Sequence, residues 1–505
     1  MSAPPPHPGW APHLPSGPSS VDVDHLGSAS LPSRWVARWA ADPTRPVVFD
    51  DASGWVTAGE LEARSRGVAA RLAGAGLEAG QRLLLSAGAS VDLVVAYVAA
   101  LRLGLVVVPV NTAYREREVA HVVDDARPVA ALVDDAERAG WLRERGVALV
   151  VGPEVELPDP PGDLPRGVVD AVEPHHPALL LYTSGTTGAP KGALLRHRNL
   201  LASAEAVAVA WRWTPDDRLV LALPLFHLHG LGVGLHGSLT AGASFVLRPA
   251  FDAADVADVV RRHRASLFFG VPTMYARLAA GGHLAALAPL RLCVSGSAPL
   301  SPELFEAVAA GARHRIVERY GMTETVMNVS NPHDGERRPG TVGFALPGVE
   351  VRLAEGTDEI LLRGPNVFDG YWERPAANAE AFVDGWFASG DVGAFDADGY
   401  LRIVGRRKEL IISGGYNVYP REVEDVLRSH PAVHDAAVVG VADPQWGEAV
   451  VAFVEGDLTG PAVAEVLAHA AERLAPYKRP KRLHVVAALP RNALGKVVKA
   501  ELSEA

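Results

Sequence analysis

The segment Tyr182–Gly192 holds three glycines, four Ser/Thr hydroxyls and, near its far end, Lys191. It follows an apolar run, so a strand would deliver a loop of N–H and O–H donors that ends in a cation. Such a loop wraps phosphate oxygens. A solvated Ser/Thr/Gly surface loop is the competing reading, but it leaves the buried strand and the terminal lysine unexplained. The Gly-Lys-Ser/Thr ending that holds magnesium in nucleoside triphosphatase loops is absent. Further on, Arg319–Thr325 brings an aromatic face (Tyr320), a hydroxyl (Thr323) and a carboxylate (Glu324) close together. These could stack a base, touch a phosphate and hold Mg2+ through oxygen. Ser389-Gly-Asp391 offers a carboxylate suited to the two hydroxyls of a ribose. Taken singly, the last two motifs are ordinary turns.

Other patterns carry less. Gly232–Gly237 matches the dinucleotide fingerprint Gly-x-Gly-x-x-Gly, but only six residues separate Gly237 from the next strand at Ser244. A crossover helix does not fit there, so that reading is rejected. His227, His229 and His236 have no carboxylate or cysteine at ligand spacing beside them, which favours pocket or packing roles over metal. No Gly-x-Ser-x-Gly nucleophile elbow occurs, which removes the commonest hydrolase reading.

The elements that must position these residues alternate. Arg82–Ser86 and Leu105–Val110 read as strands around the helix Val91–Arg102. Ala178–Tyr182, Leu219–Leu223, Ser244–Leu247, Leu267–Phe269 and Leu290–Val294 are short apolar strands, and Ala254–Arg264 is helical. That rhythm predicts parallel α/β layers. After about residue 340, Glu350–Leu353, Glu359–Arg363 and Tyr400–Val404 read as a small barrel or meander, and about one hundred residues of α+β texture follow. Residues 1–20 carry seven prolines, which predicts a disordered leader. The 505 residues allow two or three domains. A net charge of -11 disfavours general nucleic-acid binding. From Arg473 to Lys499 there are eight basic residues and no acid, either a solvated face or a lid for a polyanion. The single cysteine, Cys293, excludes an internal disulfide and fits a reducing cytosol, so a cytoplasmic location is expected. The stretch Leu93–Val110 is interrupted by Arg102, Gly104 and Pro109, and no membrane span is expected.

In order, Thr183–Gly192, Tyr320–Thr325, Ser389–Asp391, Gly405-Arg406, Gly414–Pro420 and Pro490–Lys496 resemble the core motifs of the adenylate-forming superfamily. That superfamily includes acyl-CoA synthetases, adenylation domains and luciferases. The resemblance runs from about residue 30 to the C-terminus. It implies an α/β fold: a large N-terminal domain of stacked α/β layers plus a small β-barrel, and a smaller, mobile α+β C-terminal domain. The expected boundaries are 1–28 for the leader, 29–407 for the ATP- and acyl-binding domain and 408–505 for the lid domain.

The implied reaction joins a carboxylate to ATP as an acyl-adenylate, releases pyrophosphate and then passes the acyl group to CoA with loss of AMP. Anion meets anion in the first step, so catalysis is mostly charge neutralisation and positioning. By resemblance, Thr183, Ser184, Gly185, Thr186, Thr187, Gly188 and Lys191 would hold the β- and γ-phosphates. Gly296, Ser297, Ala298 and Tyr320 would frame the adenine, with Gly321 and Met322 completing the ATP set. Thr323 would touch the α-phosphate and Glu324 would hold Mg2+. Asp391 and Arg406 would bind the ribose, and Lys496 would bridge the substrate carboxylate and the α-phosphate. Lys408 stands at the hinge position. Ser413, Gly414 and Gly415 would flank the CoA pantetheine.

Within the superfamily, Pro224–Leu231, Phe269–Arg277, Val294–Ala298, Met327–Pro332 and Arg363–Phe368 look most like malonyl-CoA synthetases. Malonate, or methylmalonate, carries a second carboxylate that needs a fixed cation. Pro272 suits the first turn of a helix, and Arg277 on that helix is the expected cation. His227 would line the acyl pocket and Ser295 would hydrogen-bond the substrate. A short- or medium-chain monocarboxylate ligase remains the alternative, as does an enzyme that loads a carrier protein in place of CoA.

Overall fold

The computed structural model describes residues 7–13, 26–160, 167–183, 190–413, 416–443, 446–456, 458–492 and 495–502. These pack as two compact units. The first comprises Met1–Leu300, Leu304–Glu350 and Leu362–Phe387; the second comprises Ser301–Glu303, Val351–Leu361 and Ala388–Ala505. The expected boundary at 407/408 therefore differs from the observed packing. Residues 388–407 go with the second unit, where the strand Leu401–Arg406 pairs antiparallel with the end of Trp386–Phe395.

Two sheets build the first unit. One has six strands in the order Leu149–Val151, Ala130–Val133, Arg82–Ser86, Val106–Pro109, Pro177–Thr183, Lys191–Arg196. Its pairings are parallel except the last, which folds the chain back on itself at the phosphate-loop motif. The other has nine strands. Its parallel centre runs Val317–Tyr320, Leu292–Ser295, Leu267–Gly270, Arg218–Leu221, Ser244–Leu247, Pro46–Asp50, with antiparallel strands at both edges. The central strands are apolar because both faces are covered. The helix Val91–Arg102 shows the same logic: Ser90 caps it, its Oγ accepting from Leu93 N at 3.1 Å, and nearly every side chain on it is buried. Its last residue, Arg102, is fully buried but makes five hydrogen bonds, to Asp170, Glu62 and Ser65.

Two expectations need correction. Segment 7–13 is not excluded from the core: Trp10 is fully buried and donates from Nε1 to the Ala345 carbonyl at 2.7 Å. His7 stacks on Phe344 at 3.9 Å, and His13 accepts from Asp334 N at 3.0 Å. A proline-rich stretch can dock through one large aromatic without forming an element of its own. The segment around Gly232–Gly237 is also helical, His229–Leu235 continuing into His236–Ala241, so the crossover between strands exists and contains the glycines. The dinucleotide reading fails because those glycines lie inside a helix, not in a strand-to-helix turn.

In the second unit, Val433–Asp443 and Gly447–Gly456 form a long antiparallel hairpin, and Arg482–Val486 adds a parallel strand. The helices Pro420–Arg428 and Gly460–Arg473 cover it over Ile411, Val438, Val450 and Val466. Among the described residues no helix is long and apolar enough to cross a membrane.

Candidate functional site

Strand ends position the first unit's chemistry. Thr183 closes Pro177–Thr183 and Lys191 opens the returning strand, and the two are register partners. Ser184, Gly185, Thr186, Thr187 and Gly188 lie outside the described residues. The Lys191 Nζ stands 5.2 Å from the centre of the Tyr371 ring. Tyr371 in turn donates its hydroxyl to Glu324 Oε1 at 2.8 Å. Tyr371 is held by a bridge to Ala193 and by Asn378 Oδ1, which accepts from its backbone N–H. Burial and the Glu324 carboxylate raise the Tyr371 pKa, so the phenol stays a donor. Tyr371 is not among the sequence-predicted site residues; its place three residues past the Arg363–Phe368 stretch is the signal the sequence offers.

Thr323 and Glu324 sit on the turn that leaves Val317–Tyr320. Asn366 ties this turn down, donating to the carbonyls of Thr325 at 2.8 Å and Met327 at 3.0 Å, and Asn328 donates to Thr325 Oγ1 at 2.8 Å. Gly321 is obligatory: a Cβ there would stand 2.1 Å from the Val326 carbonyl oxygen. Val326 itself is β-branched with φ of +56°, and Ser297 has φ of +69°. Such strain costs about 1–3 kcal/mol per residue and persists where surrounding contacts over-determine it. Tyr320 and Met322 are on the same turn, with Tyr320 buried and Met322 half-buried. Glu324 is a buried hard-oxygen donor one aromatic ring from a lysine, a setting that fits Mg2+ beside phosphate.

Gly296, Ser297 and Ala298 follow the strand Leu292–Ser295. Ser297 Oγ lies 3.2 Å from His229 Nδ1, and the His227 ring accepts from His229 N at 3.2 Å. Ser295 is fully buried, and its hydroxyl has no partner among the described residues. Burial and the nearby Arg319 push His227 down to about 4 and His229 well below its ordinary value, so both are neutral. His236 is a packing residue, its Nε2 2.6 Å from the Tyr97 hydroxyl. Arg277 lies on the helix Pro272–Ala280, as Pro272 predicted, but its side chain is exposed with the guanidinium 5.0 Å from the Phe251 ring centre.

The second unit carries its own set. Asp391 and Arg406 are register partners on adjacent strands, joined by an ion pair at 3.1 Å. Lys496 leaves a turn in which its N–H donates to Asn492 Oδ1 at 3.0 Å and its carbonyl accepts from Asn492 N at 2.9 Å. By surface area Lys496 is exposed, yet protein atoms surround it closely enough to desolvate the ammonium in part. That desolvation, then Arg406, lowers its pKa, while Glu409 and Asp391 oppose the shift. Lys408 is exposed in a one-turn helical segment, Arg407–Glu409. Ser413 is buried; Gly414 and Gly415 lie outside the described residues. Part of the basic stretch is paired within the unit: Lys478 with Glu422, Arg491 with Asp435, and Lys499 with both Glu409 and Glu424.

Comparison with known proteins gives this arrangement its family. The model for "AMP-binding enzyme" matches residues 35–372 and that for its C-terminal domain residues 422–496. A sulfoacetate–CoA ligase from Cupriavidus necator is 37% identical over 94% of this chain and 97% of its own. A malonate–CoA ligase from Arabidopsis thaliana is 35% identical over 79% and 74%. Other relatives are named for aromatic and long-chain acids. The crystal structure of ATP-bound MatB from Rhodopseudomonas palustris superposes with a TM-score of 0.85 at 37% identity, covering 93% of this chain and 97% of that one. With both domain models matched and the motif residues on strand ends and tied turns, the chain belongs to the AMP-binding enzyme family and is an AMP-forming acid–CoA ligase that uses ATP and CoA.

Proposed function

We propose that the acid is short and carries a second anionic group, as malonate, methylmalonate and sulfoacetate do. One observation carries the reading: the first unit presents two guanidiniums near the acyl-binding strand ends, Arg277 and Arg319, and neither has an ion-pair partner among the described residues. Uncompensated positive charge suits a dianion and serves a monocarboxylate poorly. The malonate and sulfoacetate ligases among the relatives support it.

The roles follow from the chemistry. Thr183 and Lys191 hold the outer phosphates; Gly296–Ala298 and Tyr320 frame the base; Thr323 meets the α-phosphate. Mg2+, when bound, neutralises phosphate charge, and Glu324 is the residue to hold it, oriented by Tyr371. Asp391 and Arg406 bind the ribose. Lys496 neutralises the meeting of carboxylate and α-phosphate, and the burial that lowers its pKa has already removed part of the ammonium's water. Lys408 serves as the hinge and Ser413 flanks the pantetheine in the second half-reaction.

A carboxylate panel tests the substrate. Malonate, methylmalonate, sulfoacetate, propionate and butyrate are offered with ATP, Mg2+ and CoA, and thioester formation is read. A two-anion acid should exceed propionate in kcat/KM by about tenfold or more. Preference for butyrate would make the enzyme a monocarboxylate ligase. Transfer to a carrier domain but not to free CoA would change the acceptor.

A further inference from the structure

Two basic residues bracket the turn that presents Lys496. Within the turn, Arg491 and Val497 face each other as an antiparallel bridge, Asn492 N donates to the Lys496 carbonyl at 2.9 Å, and Val498 N donates to the Pro490 carbonyl at 2.8 Å. Gly495 takes a φ of +75° beside Lys496, a corner that glycine adopts without strain. Arg491, at the entry, pairs with Asp435 on the strand Val433–Asp443. Lys499, at the exit, pairs with Glu409 at 2.9 Å and with Glu424 at 2.7 Å.

The two acids on Lys499 are not equivalent. Glu424, on the helix Pro420–Arg428, has other partners: its Oε1 accepts from Val438 N at 2.9 Å and its Oε2 meets Arg428 at 3.3 Å. The Glu409 carboxylate has Lys499 as its one hydrogen-bond and ion-pair partner among the described residues. Its side chain keeps only 25% of its surface, so water satisfies it in part and a cation does the rest. Lys496 is the other cation that Glu409 attracts. Asp391 attracts Lys496 as well, but it is committed to Arg406 at 3.1 Å. With both acids taken, the Lys496 ammonium has no ion-pair partner among the described residues. An ammonium locked onto an acid of its own chain has no charge to spare for two incoming anions.

We infer that Lys499 is a positioning residue for adenylation: by occupying Glu409 it keeps the Lys496 ammonium uncommitted, and it fixes the exit of the turn that presents that ammonium. The inference rests on the role proposed above for Lys496. Without Lys499, Glu424 still has Arg428 and the Val438 N–H, whereas Glu409 has lost its partner and draws on Lys496. A displacement of about 1 Å at a reacting group costs about a hundredfold in rate. The second half-reaction joins no two anions and does not need this ammonium, so the loss falls on the first.

The experiment separates the half-reactions. Exchange of pyrophosphate into ATP reads adenylation, and thioester formation from a supplied acyl-adenylate and CoA reads transfer. Both are measured on the full chain with malonate and again with propionate, in wild type, Lys496→Ala, Lys499→Met, Lys499→Arg, Glu409→Gln and the double variant Lys499→Met/Glu409→Gln. Lys499→Met should lower exchange by about tenfold to a hundredfold and leave transfer within about threefold. Lys499→Arg restores the charge and should stay within about threefold of wild type in both. The double variant removes the acid that draws Lys496 away, so its exchange should return to within about threefold of Glu409→Gln alone, a non-additive recovery that a loss of packing does not produce. Wild-type exchange in Lys499→Met, equal losses in its two half-reactions, or a double variant no better than Lys499→Met each overturn the inference. Equal losses in Lys496→Ala remove the Lys496 reading itself, whatever the Lys499 variants do. Should Lys499→Met fail to fold, Lys499→Gln, which keeps a donor for the acids without the charge, carries the same expectations; failure of both to fold makes Lys499 a structural group and overturns the inference.

Discussion

Acidification should unfold the first unit well before its carboxylates titrate. His197 and His236 have no exposed surface. Burial, reinforced by nearby imidazoles, pushes both down to about 3; burial and Arg319 push His227 down to about 4. In the unfolded chain each titrates near its ordinary value, about 6.5. The folded values are depressed, so between pH 6.5 and 4 the unfolded state binds more protons. Stability is present in full above about pH 6.5 and is lost as the pH falls. From pH 7 to pH 5 each histidine should remove about 2 kcal/mol and the three together about 5–6 kcal/mol, comparable to the whole stability of a domain. Unfolded carboxylates titrate near 4, mostly below this window. Urea denaturation of the full chain, followed by tryptophan fluorescence at pH 7, 6 and 5, reads the loss. His236→Gln keeps a polar group for the Tyr97 hydroxyl but cannot titrate, so its loss between pH 7 and 5 should be smaller by about 2 kcal/mol. A flat profile from pH 7 to 5, or an unchanged loss in His236→Gln, would refute the reasoning.

Three further outcomes are expected. Lys496→Ala should reduce pyrophosphate exchange by about a hundredfold or more yet leave thioester formation from a supplied acyl-adenylate within about threefold, because only the first step joins two anions; equal losses would remove that separation of roles. Tyr371→Phe deletes the hydroxyl donated to Glu324, a charge-assisted bond worth about 1.5–3 kcal/mol, so adenylation should fall by about tenfold to a hundredfold with a raised Mg2+ requirement; an unchanged Mg2+ titration would detach Tyr371 from the metal. Trp10→Ala should lower the unfolding free energy by about 3 kcal/mol, and removal of residues 1–13 should do the same; a wild-type urea midpoint in either variant would show that the docked segment contributes nothing.

The parts of the fold visible in the sequence are those decided locally. Val91–Arg102 and Arg82–Ser86 match the structure residue for residue, since an apolar run bounded by a capping serine or a turn leaves little choice. Trp10 was invisible for the opposite reason. Its partners, Phe344 and Ala345, lie more than three hundred residues away, and proline content says what a segment cannot build, not what it can lean on. The basic stretch follows the same rule: its charge run has no acid within it, and Glu409, Glu422, Glu424 and Asp435 arrive from other elements to pair with Lys478, Arg491 and Lys499.

Reaction type and substrate identity were unequally legible, and the chemistry explains why. Neutralising a carboxylate and a triphosphate is the same problem for every acid, so its solution is carried in contiguous motifs such as Thr183–Gly192 and Arg319–Thr325, readable in chain order. The residues proposed to meet the acid come from separate parts of the chain: Ser295 from one strand end, His227 and His229 from the segment between two other strands. No spacing links them along the chain. Arg277 drew attention because it stood in a recognisable stretch; Arg319 stood in plain view as the first residue of a phosphate motif. Strand alternation could have raised the question, since Val317 and Arg319 share a face of a buried strand and only one of them is apolar. A charged residue at a core-facing strand position must be paired or have a ligand. Arg319 is such a residue: its Nε and Nη2 have no partner among the described residues, and that depends on contacts across strands, which no spacing along the chain displays.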